Sequence, residues 1–121
     1  GKECPVWVCE WPMPLTSLAR PLPDSPGFAD RAECYANGIE LANGFGELTD
    51  PEEQLRRFEN DLQQRKKSSR PTVPLDQKFL ESLQEGMPPS SGMALGLDRL
   101  LLWLTGVKNI QQVLSFSWDE V

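Results

Sequence analysis

Residues 33–47 read ECYANGIELANGFGE, and the fold turns on Asn37-Gly38 in their middle. Asn-Gly between two partly apolar runs is the strongest short-range hairpin signal, because both central residues of a type I′ turn need positive φ. A hairpin is therefore expected over residues 29–48. A two-residue turn pairs Ala36 with Ile39, Tyr35 with Glu40, Cys34 with Leu41 and Glu33 with Ala42. Cross-strand partners share a face, and so do residues two apart, so Glu33 and Glu40 lie diagonally on one face, backbones roughly 7–8 Å apart. Two long carboxylates at that separation can converge on one divalent cation, and oxygen-only ligands suit Mg²⁺ or Mn²⁺ held together with substrate phosphates. The same spacing also suits two glutamates pointing into water. Asn43 and Glu47 share a face with each other, but parity places that face opposite Glu40. They join Glu33 and Glu40 only through a bulge or twist, for which Gly44 and Gly46 are the candidates. Otherwise Glu47-Leu48-Thr49-Asp50 is a polar strand exit and helix cap.

Upstream, residues 4–9 (CPVWVC) read as a short buried strand, and the proline-rich residues 11–27 as an irregular extended loop. Downstream, Asp50-Pro51-Glu52-Glu53 opens a helix: Asp50 caps, Pro51 takes the first helical position and the acids suit the positive end of the dipole. Leu55, Phe58 and Leu62 form its apolar stripe, and it decays into the basic run Arg65–Arg70, read as surface. Asp76 caps a second helix with Phe79, Leu80 and Leu83 inward, ended by Gly86. Residues 92–97 read as a glycine-punctuated strand and 98–105 as a helix ended by Gly106, with Leu100–Leu104 as core. A helical turn over 109–112 and a last strand over 113–116 complete an α+β fold: an antiparallel β-sheet flanked by helices.

In the strand over 92–97, the small residues Gly92, Ala94 and Gly96 fall on one face and leave a flat platform that a planar ring or a backbone can approach closely. Arg99 follows in the first turn of the next helix, where a cation opposes the dipole. That placement suits a bound anion, since the helix end and the guanidinium then attract the same phosphate. It equally suits tight helix–sheet packing with Arg99 paired to a nearby acid.

The 121 residues suit one domain. Twelve Lys plus Arg against eighteen Asp plus Glu give a net charge of −6, which argues against a generic nucleic-acid or anionic-membrane binder. No histidine occurs, which removes Ser-His and Cys-His nucleophile pairs, histidine general bases and histidine-ligated metals. What remains is chemistry by carboxylates, arginine, backbone amides and hard metal ions. Cys4, Cys9 and Cys34 are odd in number and form no C-x-x-C pair, so they read as reduced, partly buried thiols of a cytoplasmic protein. No signal peptide or membrane-spanning run is visible.

The two segments together resemble the class II aminoacyl-tRNA synthetases, specifically the lysyl branch. Gly92-x-Ala94-x-Gly96-Leu97-Asp98-Arg99 looks like motif 3, and Glu40 through Asp50 looks like the strand that precedes it. Pro5-Val6-Trp7, Trp11-Pro12 through Ala19, and Met87-Pro88-Pro89 with Ser91-Gly92 also fit, so the likeness spans nearly the whole chain. It implies that residues 1–121 are the C-terminal portion of a catalytic domain, with motif 3 at 92–99 and motifs 1 and 2 absent. It implies ATP and Mg²⁺ as cofactors, with Glu33 and Glu40 holding the metal and the nucleotide, Gly96 as adenine platform and Arg99 on the terminal phosphate. Arg99 and Glu40 are then the catalytic residues. Asn43, Glu47, Gly92 and Ala94 become the amino-acid site, with Glu47 facing an ε-ammonium group. The lysyl-tRNA synthetases carry glycine where this chain has Ala94; alanine there is typical of the truncated paralogue that lysylates elongation factor P and prefers β-lysine. The resemblance thus implies lysine or β-lysine as substrate, elongation factor P as acceptor and a homodimer when intact, with a tRNA-Lys-charging fragment or a non-catalytic remnant as alternatives. The 121-residue chain by itself is expected to be inactive.

Overall fold

In a computed structural model, which describes residues 4–118, the expected hairpin is the centre of the molecule. Strands β3 (Ser25–Ala36) and β4 (Ile39–Gly46) are joined by Asn37 and Gly38, with φ of 50° and 76°. Two positive φ values make the type I′ turn, whose twist matches that of the strands. Around it lie β1 (Val6–Pro12), β2 (Pro21–Leu22) and β5 (Ser91–Leu95). All five strands form one antiparallel sheet in the order β1-β3-β4-β5, with the short β2 also paired to β3. Three helices follow the chain order, α1 (Pro51–Lys67), α2 (Gln77–Glu85) and α3 (Leu97–Thr105), so the fold is α+β as expected.

The register departs from the simple hairpin. Ala36 faces Ile39 and Tyr35 faces Glu40, but Cys34 faces Ala42 and Glu33 faces Asn43. Leu41 is therefore an extra residue in β4, a bulge. The expected pairs Cys34–Leu41 and Glu33–Ala42 do not form. Nor does the bulge fall at Gly44 or Gly46. Those glycines answer a different need. A Cβ at Gly44 would lie 2.8 Å from the Gly92 carbonyl oxygen and 2.9 Å from Met93 Cβ on β5, while one at Gly46 would collide with the Arg20–Asp30 ion pair.

Helix starts and stops match the residues that encode them. Asp50 accepts from the backbone N–H groups of Glu52 and Glu53, and Asp76 from that of Phe79. Gly86 and Gly106 end α2 and α3 with φ of 108° and 72°. Leu80 and Leu83 are buried as expected, whereas Phe79 is half-exposed and meets Phe58 of α1 at a ring separation of 5.9 Å. α1 is tied to the loop before β2: Arg57 Nη1 donates to the Ala19 carbonyl at 2.7 Å and Gln54 Nε2 to that of Ser17 at 3.2 Å. The irregular loop expected over 11–27 is instead partly built into the sheet: β1 runs to Pro12, β2 takes Pro21–Leu22 and β3 begins at Ser25. Met13–Leu15 forms a single 3₁₀ turn, and Arg20 and Leu48 N–H groups bond to the Gly46 and Leu18 carbonyls.

Three further expectations fail. The strand expected over 4–9 is Val6–Pro12, and residues 4–9 are exposed: β1 lies at the sheet edge, with β3 its only strand partner among the described residues. α3 buries none of its residues among the described part, and Leu97, Leu101 and Leu104 face outward. Residues 113–116 form turns and bends after the 3₁₀ turn Ile110–Gln112, not a strand. Of the cysteines only Cys34 is buried; all three are free thiols. No described helix is long and apolar enough to cross a membrane.

Two predictions follow from these contacts. Gly44→Ala places a methyl group against β5 backbone and should cost about 1–3 kcal/mol in urea unfolding, while Gly27→Ala, with open space around its Cβ position, should be near neutral. Equal effects would refute the close β4–β5 approach. Glu53 is held at about 2, below its ordinary 4.5, first by the hydrogen bond from Arg56 and also by Arg57, against a smaller opposing effect of burial. A depressed carboxyl stabilises the fold above its unfolded value, and that contribution fades as pH falls from about 4.5 toward 2. The stability difference between the parent and Glu53→Gln should therefore be present at pH 7 and shrink across that window; a difference independent of pH would contradict the ion pair's role.

Candidate active site

The bulge at Leu41 decides which side chains meet. Tyr35 and Glu40 are cross-strand partners on one face; Glu33 lies two residues from Tyr35 and opposite Asn43. The extra residue thus brings Glu40 and Asn43, three apart in sequence, to the same side. β5 extends that face, with Ala94 opposite Asn43 and Gly92 opposite Phe45. Glu47 joins it too, since a Cβ at Gly92 would sit 3.6 Å from Glu47 Oε1. Gly96, in extended conformation, continues the β5 alternation into the start of α3. Every residue singled out from sequence (Glu33, Glu40, Asn43, Glu47, Gly92, Ala94, Gly96 and Arg99) is therefore gathered around one surface. The parity argument that set Asn43 and Glu47 behind the sheet is overturned by one inserted residue.

β4 also receives the incoming helix. The Gly96 N–H donates to the Leu41 carbonyl at 2.8 Å, and Arg99 Nη1 donates to the Glu40 carbonyl at 3.0 Å. Arg99 Nη1 stands 3.7 Å from Glu40 Oε2. Both side chains keep substantial exposure, 50% for Arg99 and 37% for Glu40, so this pair is open to a ligand.

Glu33 is in a different state. Its side chain is only 4% exposed, and both oxygens are engaged: Arg31 Nη2 donates to Oε1 and the Tyr35 hydroxyl to Oε2. The Tyr35 hydroxyl is pushed above its ordinary value, chiefly by that hydrogen bond, so it stays a proton donor at neutral pH. Arg31 also donates through Nε to Asn43 Oδ1 at 3.2 Å, and its guanidinium lies 4.7 Å from the centre of the Trp11 ring. Trp11 reaches it past a register irregularity at Glu10, whose φ is 56°. Arg31 and Tyr35 were missed in the sequence reading. The signal was there: residues 31, 33 and 35 alternate onto one strand face.

The donor set bears on a metal. No group of three or more Asp, Glu, Cys or His able to hold an ion exists among the described residues. Two carboxylates are what magnesium accompanying a nucleotide commonly takes from protein, the rest coming from phosphates and water. Glu40 is open, and each Glu33 oxygen takes one donor here and retains a second lone pair. The residues fit such an ion.

The chain is 46% identical over 120 residues to proteins named "Elongation factor P--(R)-beta-lysine ligase" from Haemophilus influenzae strains PittGG and Rd, and 44% identical to the one from Edwardsiella ictaluri. Each alignment covers 99% of this chain and 37% of the relative, so the chain spans little more than a third of their length. The sequence profile of "tRNA synthetases class II (D, K and N)" matches residues 1–120, and the chain belongs to that family.

Proposed function

We propose that this chain is part of an ATP-dependent ligase that activates lysine or β-lysine as an acyl-adenylate and passes it to elongation factor P. The observation that carries the reading is the single surface on which an open carboxylate–guanidinium pair, Glu40 and Arg99, sits beside Asn43 and Glu47 across the nearly bare strip Gly92–Gly96. The pair suits the phosphates and the strip suits a planar base. Asn43 and Glu47 suit an amino acid with a second ammonium group. The relatives' name supports the acceptor, as does Ala94, whose methyl group stands across the β4–β5 pairing from Asn43.

The chemistry asks for no histidine. The substrate carboxylate is already ionised, so it attacks the α-phosphorus without a general base, the bond to pyrophosphate breaks, and an acyl-adenylate remains. An acceptor amine or hydroxyl then takes the acyl group and AMP leaves. Catalysis by this route is positioning plus charge neutralisation. Magnesium, when bound with ATP, adds positive charge at the phosphates, and Glu33 and Glu40 would hold it. Arg99 would draw the terminal phosphate, Gly96 would leave room for the adenine ring, and Glu47 would fix the side-chain ammonium. A cytoplasmic location and a homodimeric intact protein belong to the same reading.

The deciding assay supplies the full-length protein with ATP, α- or β-lysine, and either elongation factor P or tRNA-Lys. Transfer to elongation factor P with preference for β-lysine is expected; charging of tRNA-Lys alone would establish the alternative acceptor, and no adenylate with any lysine isomer would refute the ligase reading. Within the site, Glu40→Gln should raise the KM for Mg·ATP by about tenfold or more and leave the amino-acid KM within about threefold, and Glu47→Gln should do the reverse. Matching effects of the two changes on both substrates would rule out this division of labour.

A further inference from the structure

Arg31, Glu33 and Tyr35 stand in a row on the site face of β3, and the outer two grip the middle one from both sides. Arg31 does more than neutralise Glu33. Its fork reaches a carboxylate on its own strand through Nη2 and an amide oxygen on β4 through Nε, at 3.2 Å, while Trp11 covers its face. A planar guanidinium can serve two such acceptors in fixed directions; an ammonium group cannot. With Arg31 20% and Glu33 4% exposed, these bonds are shielded from water and hold geometry better than a surface ion pair does.

We propose that Arg31 and Tyr35 are positioning residues: together they lock the Glu33 carboxylate, and Arg31 couples it to Asn43, so that the nucleotide side and the amino-acid side of the site are held as one hydrogen-bonded unit. The inference rests on the proposed function, which sets ATP by Glu33 and Glu40 and the amino acid by Asn43 and Glu47. Arg31 acts through Glu33 and Asn43. An amino acid that orders Asn43 fixes the fork and thereby Glu33, so each ligand prepares the site for the other, and the coupling is reciprocal. Tyr35 touches only the Glu33 side, so its influence falls on the nucleotide alone.

The test is calorimetric binding to the full-length protein, without turnover. The probes are β-lysine and a magnesium-loaded ATP analogue with a methylene group between the α- and β-phosphorus. Each is titrated alone and with the other saturating. In the parent, each ligand should tighten the other by about fivefold. Arg31→Lys keeps the charge but loses the fork, and should weaken both ligands by about tenfold and abolish the coupling. Tyr35→Phe should weaken the nucleotide by about threefold, leave β-lysine binding unchanged and preserve the coupling. Thermal unfolding of each variant separates these effects from lost stability, and Tyr35→Phe keeps the test alive if Arg31→Lys fails to fold. Coupling retained in Arg31→Lys, no coupling in the parent, or equal weakening of both ligands by Tyr35→Phe would overturn the inference. If the parent binds neither probe, the proposed function itself fails; if it binds both and the variants match it, only this inference does.

Discussion

One inserted residue organises this surface. Leu41 has no partner on β3, and its presence turns the rest of β4 over, so that Asn43 shares a side with Glu33 and Glu40 instead of lying behind them. The same residue receives the next part of the site, because its carbonyl accepts the Gly96 N–H and the preceding carbonyl accepts from Arg99. The two consecutive carbonyls thus both accept from the segment where β5 becomes α3. Leu41 is itself buried, 4% exposed, so the irregularity is anchored by apolar packing. Removing the extra residue would flip Asn43 and everything beyond it to the other face and would withdraw the acceptors that seat Arg99.

The parts of this arrangement that were legible from sequence are those encoded by local chemistry. Asn37-Gly38 specifies its turn because both φ values are positive there, Asp50 and Asp76 specify helix starts because their carboxylates reach free N–H groups, and Gly106 specifies a helix end. The bulge was not legible in position. Glycine is the usual cue, and Gly44 and Gly46 drew attention, yet those residues are small because β5 and the Arg20–Asp30 pair approach too closely for a side chain. The apolar letters of β1 and α3 were read correctly as apolar and wrongly as buried, because a pattern states which residues avoid water and not what stands opposite them. Val113-Leu114-Ser115-Phe116 failed for a related reason: a four-residue apolar run carries too little periodicity to separate strand from turn.

Net charge alone describes the site poorly. The chain is acidic by six charges, but the surface around β4 alternates sign: Arg31 against Glu33, then Arg99 beside Glu40. The two pairs differ in burial, and that difference separates their physical capacities. Glu33, gripped by two donors, has little freedom to reorient, so the lone pairs it still offers point in fixed directions. Glu40 and Arg99, half in water and 3.7 Å apart, make only a weak mutual contact and keep their charges accessible from solvent. A tight, dry Glu40–Arg99 pair would have to be broken first, at a cost that a loose pair avoids.

Chemistry that relies on placement tolerates little slack in its charged groups, since an angstrom of drift in a reacting geometry erases much of the advantage. The backbone restrains Arg99 in two ways. Its guanidinium is held on the Glu40 carbonyl, and its stem runs across the space a side chain at position 96 would fill: a Cβ there would lie 3.3 Å from Arg99 Cδ and 3.6 Å from its Cβ and Cγ. Gly96 has ordinary extended torsions, so what a side chain would meet there is the arginine stem and not backbone strain. A side chain there would crowd the arginine stem by a few tenths of an ångström and at the same time roughen the strip proposed to receive the base. The absence of one side chain thus leaves room for the arginine stem and keeps the end of the strip flat, so one position bears on both parts of the proposed site.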